Sequence, residues 1–244
     1  MTDGLGVRAP NSSMADSEFL PGSRVLPADG ESHDGRERKA RRIGAIFAIV
    51  AAAAAIVSFL PALTAEFVNL DDDKFFVENP GFRGLDLQHL RWMFTTTRMG
   101  HYAPLTWVSA ALDFTISGLD PRAFHRTNLL LHALAAALFF LLAVRVLRLA
   151  NPIRARAHPL MLRVAALAAA LLFAVHPLRV ETVAWVTERR GLLGAVFLLA
   201  ALLSWLRACE PNRAELASRG WYVASIAALV LSLLSKGLGM TFFA

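Results

Sequence analysis

The chain has 244 residues, of which 56% are hydrophobic, and its formal net charge is +6 at pH 7. This composition excludes an ordinary soluble domain, because several segments approach the roughly 20 apolar residues that cross a bilayer as a helix. The arginines cluster between apolar segments, which favours contact with anionic lipid headgroups and argues against a nucleic-acid partner. The sequence therefore predicts an all-α polytopic membrane protein.

Residues 1–40 are polar, rich in Gly, Pro, Ser and Asp, and lack any apolar periodicity. Such a composition is typical of disorder, so we predict a disordered cytoplasmic tail ahead of a transmembrane domain at 41–244. A secretory signal is not indicated, because the polar region is long and the next apolar stretch spans a full membrane. The positive-inside rule places the N-terminus in the cytoplasm. The basic residues before the first apolar segment are Arg38, Lys39, Arg41 and Arg42.

Six apolar segments follow, and we predict that five of them span the membrane. The exception, 104–119, is short, begins with Pro104 and contains Asp113, so we interpret it as a juxtamembrane or re-entrant helix. With five spans, both arginine-rich loops face the cytoplasm, and a first loop (65–122) and a second loop (176–190) share the outer side. The segments are approximately 43–64, 104–119, 123–147, 160–177, 191–206 and 221–235, the last continuing weakly to 244.

The first loop begins with three consecutive carboxylates, Asp71, Asp72 and Asp73. Carboxylates beside a membrane helix are costly and often functional. The three cannot all face one way, so at most two serve one site. A carboxylate can be the general base toward a hydroxyl, and paired carboxylates can bind a divalent cation. A solvated acidic loop is the third interpretation, and the residues alone leave all three open.

The sequence Asp120-Pro121 predicts a helix start, with Asp as N-cap and Pro at the first helical position. On this helix His125, Asn128 and His132 fall at i, i+3 and i+7, along one stripe. Polar groups inside a membrane usually face the protein interior, so interhelical hydrogen bonding and a role in lining a ligand site are both open. Zinc binding is weakly indicated, because no third and fourth ligand stand at a telling spacing.

The second loop carries acids and arginines, and Lys236 lies near the outer end of the last span. Arginine binds phosphate through bidentate hydrogen bonds, whereas Lys236 could contact a phosphate or simply snorkel. Carboxylates and cations on one apolar face favour a reaction on a lipid-linked phosphate, in which cations stabilise charge on the leaving group. The predicted residues for donor or phosphate binding are His125, Asn128, His132, His176, Glu181, Arg189, Arg190 and Lys236.

Several short motifs occur in this sequence in one order along the chain, and together they are more specific than any one alone. They are Phe67-Val68-Asn69-Leu70-Asp71-Asp72-Asp73, Glu78-Asn79-Pro80, Arg91-Trp92-Met93-Phe94-Thr95-Thr96-Thr97, Pro104-Leu105-Thr106-Trp107, Phe124-His125 with Asn128 and Leu131-His132, and His176-Pro177-Leu178 with Glu181 through Glu188-Arg189. Over about 65–243 the chain resembles the membrane region of the transmembrane O-mannosyltransferases that bear tetratricopeptide repeats, especially their bacterial relatives.

The resemblance implies a GT-C glycosyltransferase bundle in the bacterial cytoplasmic membrane, with juxtamembrane helices in the first loop. It also implies inverting transfer of a sugar such as mannose from a polyprenyl-phosphate donor to a protein or glycan hydroxyl. Carried onto this sequence, the first-loop acid lies in the pair Asp71 and Asp72. The polar groups of the second loop are His176, Glu181 and Arg189.

The sequence departs from the family pattern at three positions. Ala103 replaces the usual Arg or His, Gly191 replaces an acid, and Gly237 replaces Glu or Pro. The family also continues with further spans and helical repeats, so we expect this chain to be a fragment. A non-catalytic membrane scaffold, a degenerate relative of the enzymes, is the alternative. A transporter is less favoured, because the polar groups gather at one face instead of the midplane.

Overall fold

The computed structural model describes residues 33–211 and 214–237, and within these ranges every regular element is helical. Nine α-helices follow one another along this part of the chain. They are α1 (His33–Phe59), α2 (Leu87–Thr95), α3 (Pro104–Ser117), α4 (Pro121–Ala150), α5 (Pro152–Ala157), α6 (Pro159–Val175), α7 (Arg179–Ala184), α8 (Arg189–Ala208) and α9 (Glu215–Ser235).

Four helical segments are long and apolar enough to cross a membrane. The shorter apolar helix α6 has 17 residues, which gives a length of about 25 Å. Helix α3 has 14 residues and reaches only about 21 Å, short of the roughly 30 Å hydrocarbon core. The predicted all-α polytopic membrane protein is confirmed. The four long segments are Arg38–Thr64, Pro121–Ala150, Val186–Ala208 and Glu215–Ser235.

The first helix begins earlier than the predicted tail boundary at residue 40. Residues 33–40 belong to α1, because Arg, Lys, Glu and Ala continue the helix that the apolar residues begin. Residues 1–32 lie outside the described part of the chain, as do the final residues of the weak apolar continuation, 238–244.

Small residues make the interfaces between the long helices. Helices α1, α4 and α6 share a core of alanines around Phe140, which lets the backbones approach closely. Helices α8 and α9 are joined by hydroxyl hydrogen bonds, because Ser225 donates to the Ala201 carbonyl at 2.9 Å and Ser232 to the Gly194 carbonyl at 2.8 Å. The alanines of the first interface are Ala51, Ala55, Ala133, Ala136, Ala166, Ala170 and Ala174.

The first loop folds on an aromatic core. The Phe75 and Trp107 rings stack with centroids 5.4 Å apart. Residues Asp73–Val77 form one π-helical turn, a rare conformation that recurs at functional sites. Gly81 is required beside this core, because a Cβ there would lie 2.4 Å from the Trp92 ring. The buried members of the core are Phe75, Phe76, Phe82, Met93, Trp107, Ala110, Ala111, Ala123, Phe124 and Val186.

The predicted helix start at Asp120 is confirmed. Asp120 is the N-cap of α4, and its carboxylate accepts a hydrogen bond from the backbone N–H of Arg122 at 3.0 Å. Pro121 is the first helical residue, where its missing N–H leaves no bond unmade. This cap sets the phase of α4, and with it the directions of the polar residues that follow.

Candidate functional site where the two loops meet

Asp72 joins the first loop to the second. Its side chain is fully buried, and one carboxylate oxygen, Oδ1, accepts hydrogen bonds from the Thr187 N–H at 2.9 Å and the Thr187 hydroxyl at 2.6 Å. The other oxygen, Oδ2, accepts from the Val68 N–H at 3.0 Å. Both oxygens of Asp72 therefore accept hydrogen bonds within the protein, and the turn before α8 is fixed against the middle of the acidic run.

Asp71 is half-buried and lies at the edge of a group of charged side chains. The charged side chains of this group all lie within electrostatic range of His101. They come from both loops and from the end of α9. We call this group the loop cluster. It consists of Asp71, His101, Glu188, Arg190 and Lys236.

Glu188 holds the two cations of the loop cluster together. Its Oε1 accepts hydrogen bonds from Arg190 Nη2 at 2.9 Å and Arg190 Nε at 3.2 Å, and its Oε2 accepts from Lys236 Nζ at 2.8 Å. The Arg190 side chain is 13% exposed and that of Lys236 is 38% exposed. Arg190 Nη1 makes no hydrogen bond within the described residues. This nitrogen is buried, and its two N–H groups are thus without an acceptor among the described residues.

His101 is placed by a tight turn. Arg98 and His101 form an isolated antiparallel bridge, and Gly100 between them has a φ of 78°, in the left-handed region that favours glycine. The Arg98 guanidinium donates to the Lys74 carbonyl, which fixes the turn against the π-helical segment. Desolvation, followed by the charges of Arg190 and Lys236, lowers the pKa of His101 from its ordinary value. Neutral His101 is therefore favoured at physiological pH.

Lys236 follows the last residue of α9. The Thr106 hydroxyl on α3 donates to the Ser235 carbonyl at 3.4 Å, and the Lys236 N–H donates to the Ser232 carbonyl at 3.0 Å. These bonds use carbonyl groups that lack a helical partner at the end of α9. Helix α3 thereby positions Lys236 beside Glu188.

Arg189 is in a different place from its neighbour Arg190. It is fully buried and forms an ion pair with Asp113 of α3 at 2.6 Å. Its Nε donates to Asn128 Oδ1 at 2.9 Å and its Nη2 to the Phe124 carbonyl at 2.8 Å. Arg189 therefore joins α3, α4 and α8, and its predicted contact with a donor phosphate is not supported by this geometry.

The polar stripe of α4 also faces the protein interior. Asn128 Nδ2 is 3.4 Å from the carbonyls of both Val183 and Trp185. His132 Nε2 lies 2.9 Å from the Ala174 carbonyl, one of the C-terminal carbonyls of α6 that lack a helical donor. His125 is fully buried against the backbone of Ala65 and Glu66. Of the two interpretations of this stripe, interhelical hydrogen bonding describes Asn128 and His132.

His176 and Glu181 are exposed in the second loop. His176 Nδ1 accepts a hydrogen bond from the Leu178 N–H at 3.3 Å. Across residues 33–211 and 214–237, no hydrogen bond or ion pair joins either side chain to the loop cluster. Their predicted role in the site stays a prediction.

The three aspartates are not gathered into a group of three metal ligands in the described residues. In the described part of the chain, no group of three or more His, Cys, Asp or Glu side chains is arranged to hold a metal ion. Asp72 accepts hydrogen bonds on both oxygens, while Asp73 accepts one from the Lys74 N–H at 2.8 Å. The divalent-cation interpretation of Asp71, Asp72 and Asp73 is therefore not supported.

Two members of the loop cluster were not among the predicted site residues. The sequence assigns Glu188 no separate role in the site, because it lies next to two arginines, where an acid is easily interpreted as a local charge partner. His101 stands at the tip of a turn, far in sequence from the second loop. The Met99-Gly100 turn before it was the available signal.

The fold and the loop cluster define an all-α polytopic membrane protein with a charged site where two loops meet. Comparison with curated proteins gives the family: the chain is a relative of the TMTC protein O-mannosyl-transferases. It is 32% identical to human Protein O-mannosyl-transferase TMTC4 over 205 residues, which is 79% of this chain and 27% of that protein.

Two further similar proteins are also named as protein O-mannosyl-transferases. Human Protein O-mannosyl-transferase TMTC3 is 36% identical over 111 residues, 46% of this chain and 11% of that protein. Mouse Protein O-mannosyl-transferase TMTC1 is 28% identical over 230 residues, 88% of this chain and 23% of that protein. The chain thus spans about a quarter or less of the length of these relatives. No family model matches the sequence. No solved structure matches it significantly.

Proposed function

We propose that this chain is the membrane part of a GT-C glycosyltransferase that transfers mannose from a polyprenyl-phosphate donor to a protein hydroxyl. The reaction takes place on the outer side of the bacterial cytoplasmic membrane, with the N-terminus in the cytoplasm. The names of the relatives support the sugar and the acceptor class. The observation that carries the proposal is the loop cluster, in which the half-buried Asp71 and the cations Arg190 and Lys236 all act electrostatically on His101.

Asp71 is the general base of the proposed reaction. It takes the proton of the acceptor hydroxyl as the hydroxyl oxygen attacks the anomeric carbon from the face opposite the phosphate. The new bond to the acceptor oxygen forms while the bond from the anomeric carbon to the phosphate oxygen breaks, and the electron pair leaves with the phosphate. This displacement inverts the anomeric centre. Asp71 is favoured over Asp72, because both oxygens of Asp72 already accept hydrogen bonds.

Arg190 and Lys236 bind the donor phosphate in this proposal. Fixed cations stabilise the charge that grows on the leaving group, and Arg190 Nη1 is a donor without a partner in the described chain. Glu188 keeps the two cations side by side, and neutral His101 adds no competing positive charge. Arg189 and Asp72 act as positioning residues, since each joins separate elements around the loop cluster.

The test is mannose transfer to an acceptor peptide by the chain in proteoliposomes supplied with radiolabelled polyprenyl-phosphate mannose. We expect Asp71→Asn to reduce the rate about 10²–10⁴-fold, the range for removing a general base, without weakening donor binding. The matched control is Asp73→Asn, which changes the neighbouring acid and should keep the rate. Transfer by Asp71→Asn at the wild-type rate would overturn the general-base assignment.

Donor binding is a separate readout. Arg190→Gln and Lys236→Gln should each weaken binding of the polyprenyl-phosphate donor, whereas Arg126→Gln, an exposed arginine on α4, should not. Equal donor binding by all three variants would contradict the phosphate site, whatever the result for transfer.

A second candidate function, a non-catalytic membrane scaffold, is favoured by one observation. Gly191 stands directly beside the loop cluster, where a Cβ would lie 3.2 Å from Glu188 Oε2 and 3.6 Å from Lys236 Nζ. The family resemblance places an acid at this position, so Glu188 is left as the single carboxylate that pairs with Lys236 in the described residues. If the wild-type chain does not bind the polyprenyl-phosphate donor, the scaffold is favoured over the enzyme.

A further inference from the structure

A large cavity opens at the end of the bundle opposite the loop cluster. Its volume is about 870 Å³, and its walls come from the start of α1, the end of α4, the end of α8 and Trp221 of α9. Much of the wall is apolar, including Ala48, Leu141, Val144 and Leu203. We call it the arginine-lined cavity, after the residues Arg41, Arg145, Arg148, Arg163 and Arg207 that line it.

The charged side chains that line this cavity are all arginines. No carboxylate is among its described lining residues. Arg145 pairs with Glu210 outside the lining, and the Arg207 guanidinium lies 4.6 Å from the centre of the Trp221 ring. Arg148 and Arg163 make no ion pair with a carboxylate in the described chain. The cavity therefore presents a net positive charge to whatever fills it.

Arg163 is the most informative of these arginines. It is only 6% exposed, and its Nη1 donates to the Pro159 carbonyl at 2.9 Å. Burying a cation is costly unless an anion and further hydrogen bonds compensate. Here the nearby charge is a second cation, Arg148, which adds repulsion. A phosphate between Arg148 and Arg163 would offset both costs.

The apolar walls indicate what carries the phosphate. A free phosphate would use the arginines but leave the apolar wall of Ala48, Leu141, Val144 and Leu203 without a partner. A phospholipid fills both parts, because its headgroup meets the arginines and an acyl chain lies along the apolar wall. The cavity also stands at the end of the bundle that the arginine distribution predicts to be cytoplasmic, where anionic lipids are enriched.

We infer that the arginine-lined cavity binds one anionic phospholipid, with its phosphate between Arg148 and Arg163 and an acyl chain against the apolar wall. This site lies at the end of the bundle away from the loop cluster. The inference is therefore independent of the proposed transferase activity.

The experiment is lipid titration of the delipidated chain in detergent, followed by native mass spectrometry. We expect one phosphatidylglycerol to bind at least about tenfold more tightly than phosphatidylcholine. Arg148→Gln/Arg163→Gln should bind phosphatidylglycerol about thirtyfold more weakly, the size expected for removing two arginines near a membrane surface. The matched control, Arg154→Gln/Arg156→Gln, changes two exposed arginines of α5 that do not line the cavity and should bind like the wild type.

A second variant distinguishes loss of the lipid site from misfolding of the arginine variants. Gly44 lines the cavity on α1, and a Cβ there would meet nothing within 4 Å. Gly44→Leu should fill the apolar wall and weaken lipid binding while every arginine stays in place. Inorganic phosphate should not displace the lipid.

Four outcomes would overturn the inference. The first is equal binding of the two lipids, and the second is equal loss in the two arginine double variants. The third is displacement of the lipid by inorganic phosphate, which would indicate a site for a soluble anion. The fourth is a wild-type chain that binds no lipid because a second copy or its own segment fills the cavity.

Discussion

Asp72 and Thr187 are joined by two hydrogen bonds to the same carboxylate oxygen, across 115 positions of sequence. Thr187 gives both its N–H and its hydroxyl, and both residues are buried. The Asp72 carboxylate also accepts the Val68 N–H. One side chain therefore connects the segment that follows the first apolar helix to the turn that precedes α8.

This link predicts a stability effect. Asp72→Ala leaves the buried N–H and hydroxyl of Thr187 without an acceptor, so we expect a loss of about 2–3 kcal/mol in the free energy of unfolding. Thr187→Val removes one donor and should cost about 1–2 kcal/mol. A double-mutant cycle from thermal unfolding in detergent measures the coupling. Asp73→Ala is the control, and additive effects of Asp72→Ala and Thr187→Val would contradict the link.

The buried ion pair of Arg189 and Asp113 should be essential for folding. Arg189→Met leaves the Asp113 carboxylate without its cation, and breaking a buried pair in this way costs about 3–5 kcal/mol. Adding Asp113→Asn should restore part of that loss. The measurement is the melting temperature in detergent, with the exposed Arg126→Met as control. Equal melting temperatures for the two single arginine variants would contradict the pair.

The pH dependence of His101 follows from its lowered pKa. Between the folded pKa and the ordinary value of about 6.5, the unfolded chain binds more protons than the folded chain, so stability falls as the pH drops through this window. Arg190→Gln removes a nearby cation and should raise the pKa of His101 toward its ordinary value. Histidine NMR titration measures the change. Arg179→Gln, whose cation acts on His132, should not alter the pKa of His101.

Gly191 and Gly220 offer a matched pair of helix substitutions. Gly220→Ala on α9 meets nothing within 4 Å, so it should stabilise the protein by about 0.5–1 kcal/mol through helix propensity alone. Gly191→Ala brings a Cβ to 3.2 Å from Glu188 Oε2 and must displace that carboxylate slightly. We expect a smaller gain for Gly191→Ala in thermal unfolding. An equal or larger gain would show that Arg190 and Lys236 do not hold Glu188 in place.

The direction of α6 tests the five-span topology. Ile153 precedes this helix and is 80% exposed, while Leu178 follows it and is 78% exposed. In a Cys209→Ser background, Ile153→Cys and Leu178→Cys should react with a membrane-impermeant maleimide from opposite sides of the membrane. Labelling of both from one side would mean that α6 does not cross.

The sequence was sufficient for the features that depend on local pattern. Apolar length predicted the long helices, and the short, polar 104–119 segment was correctly separated from them as α3. The Asp120-Pro121 pair predicted a helix start because a cap depends on two or three neighbouring residues. The two loops were also expected to lie on the same side, and the hydrogen bonds between Asp72 and Thr187 join them.

The sequence was not sufficient for the direction of individual side chains. Arg189 and Arg190 are neighbours at the start of α8, where consecutive residues point about 100° apart. One guanidinium therefore enters the core and the other faces the loop cluster, and only the position of α3 and α4 decides which. The same holds for Asp71 and Asp72, because the partner that selects between them, Thr187, is distant in sequence.

The π-helical turn at Asp73–Val77 has a consequence for how this region tolerates length changes. Such a turn holds one residue more than an α-helical turn between its hydrogen-bonded groups. Deleting the exposed Lys74 would let the backbone close as an ordinary α-turn and would rotate the preceding acids relative to Phe75 and Phe76. The number of residues between the acidic run and the aromatic residues therefore fixes the direction of the acids. Insertions or deletions there should damage the site far more than substitutions.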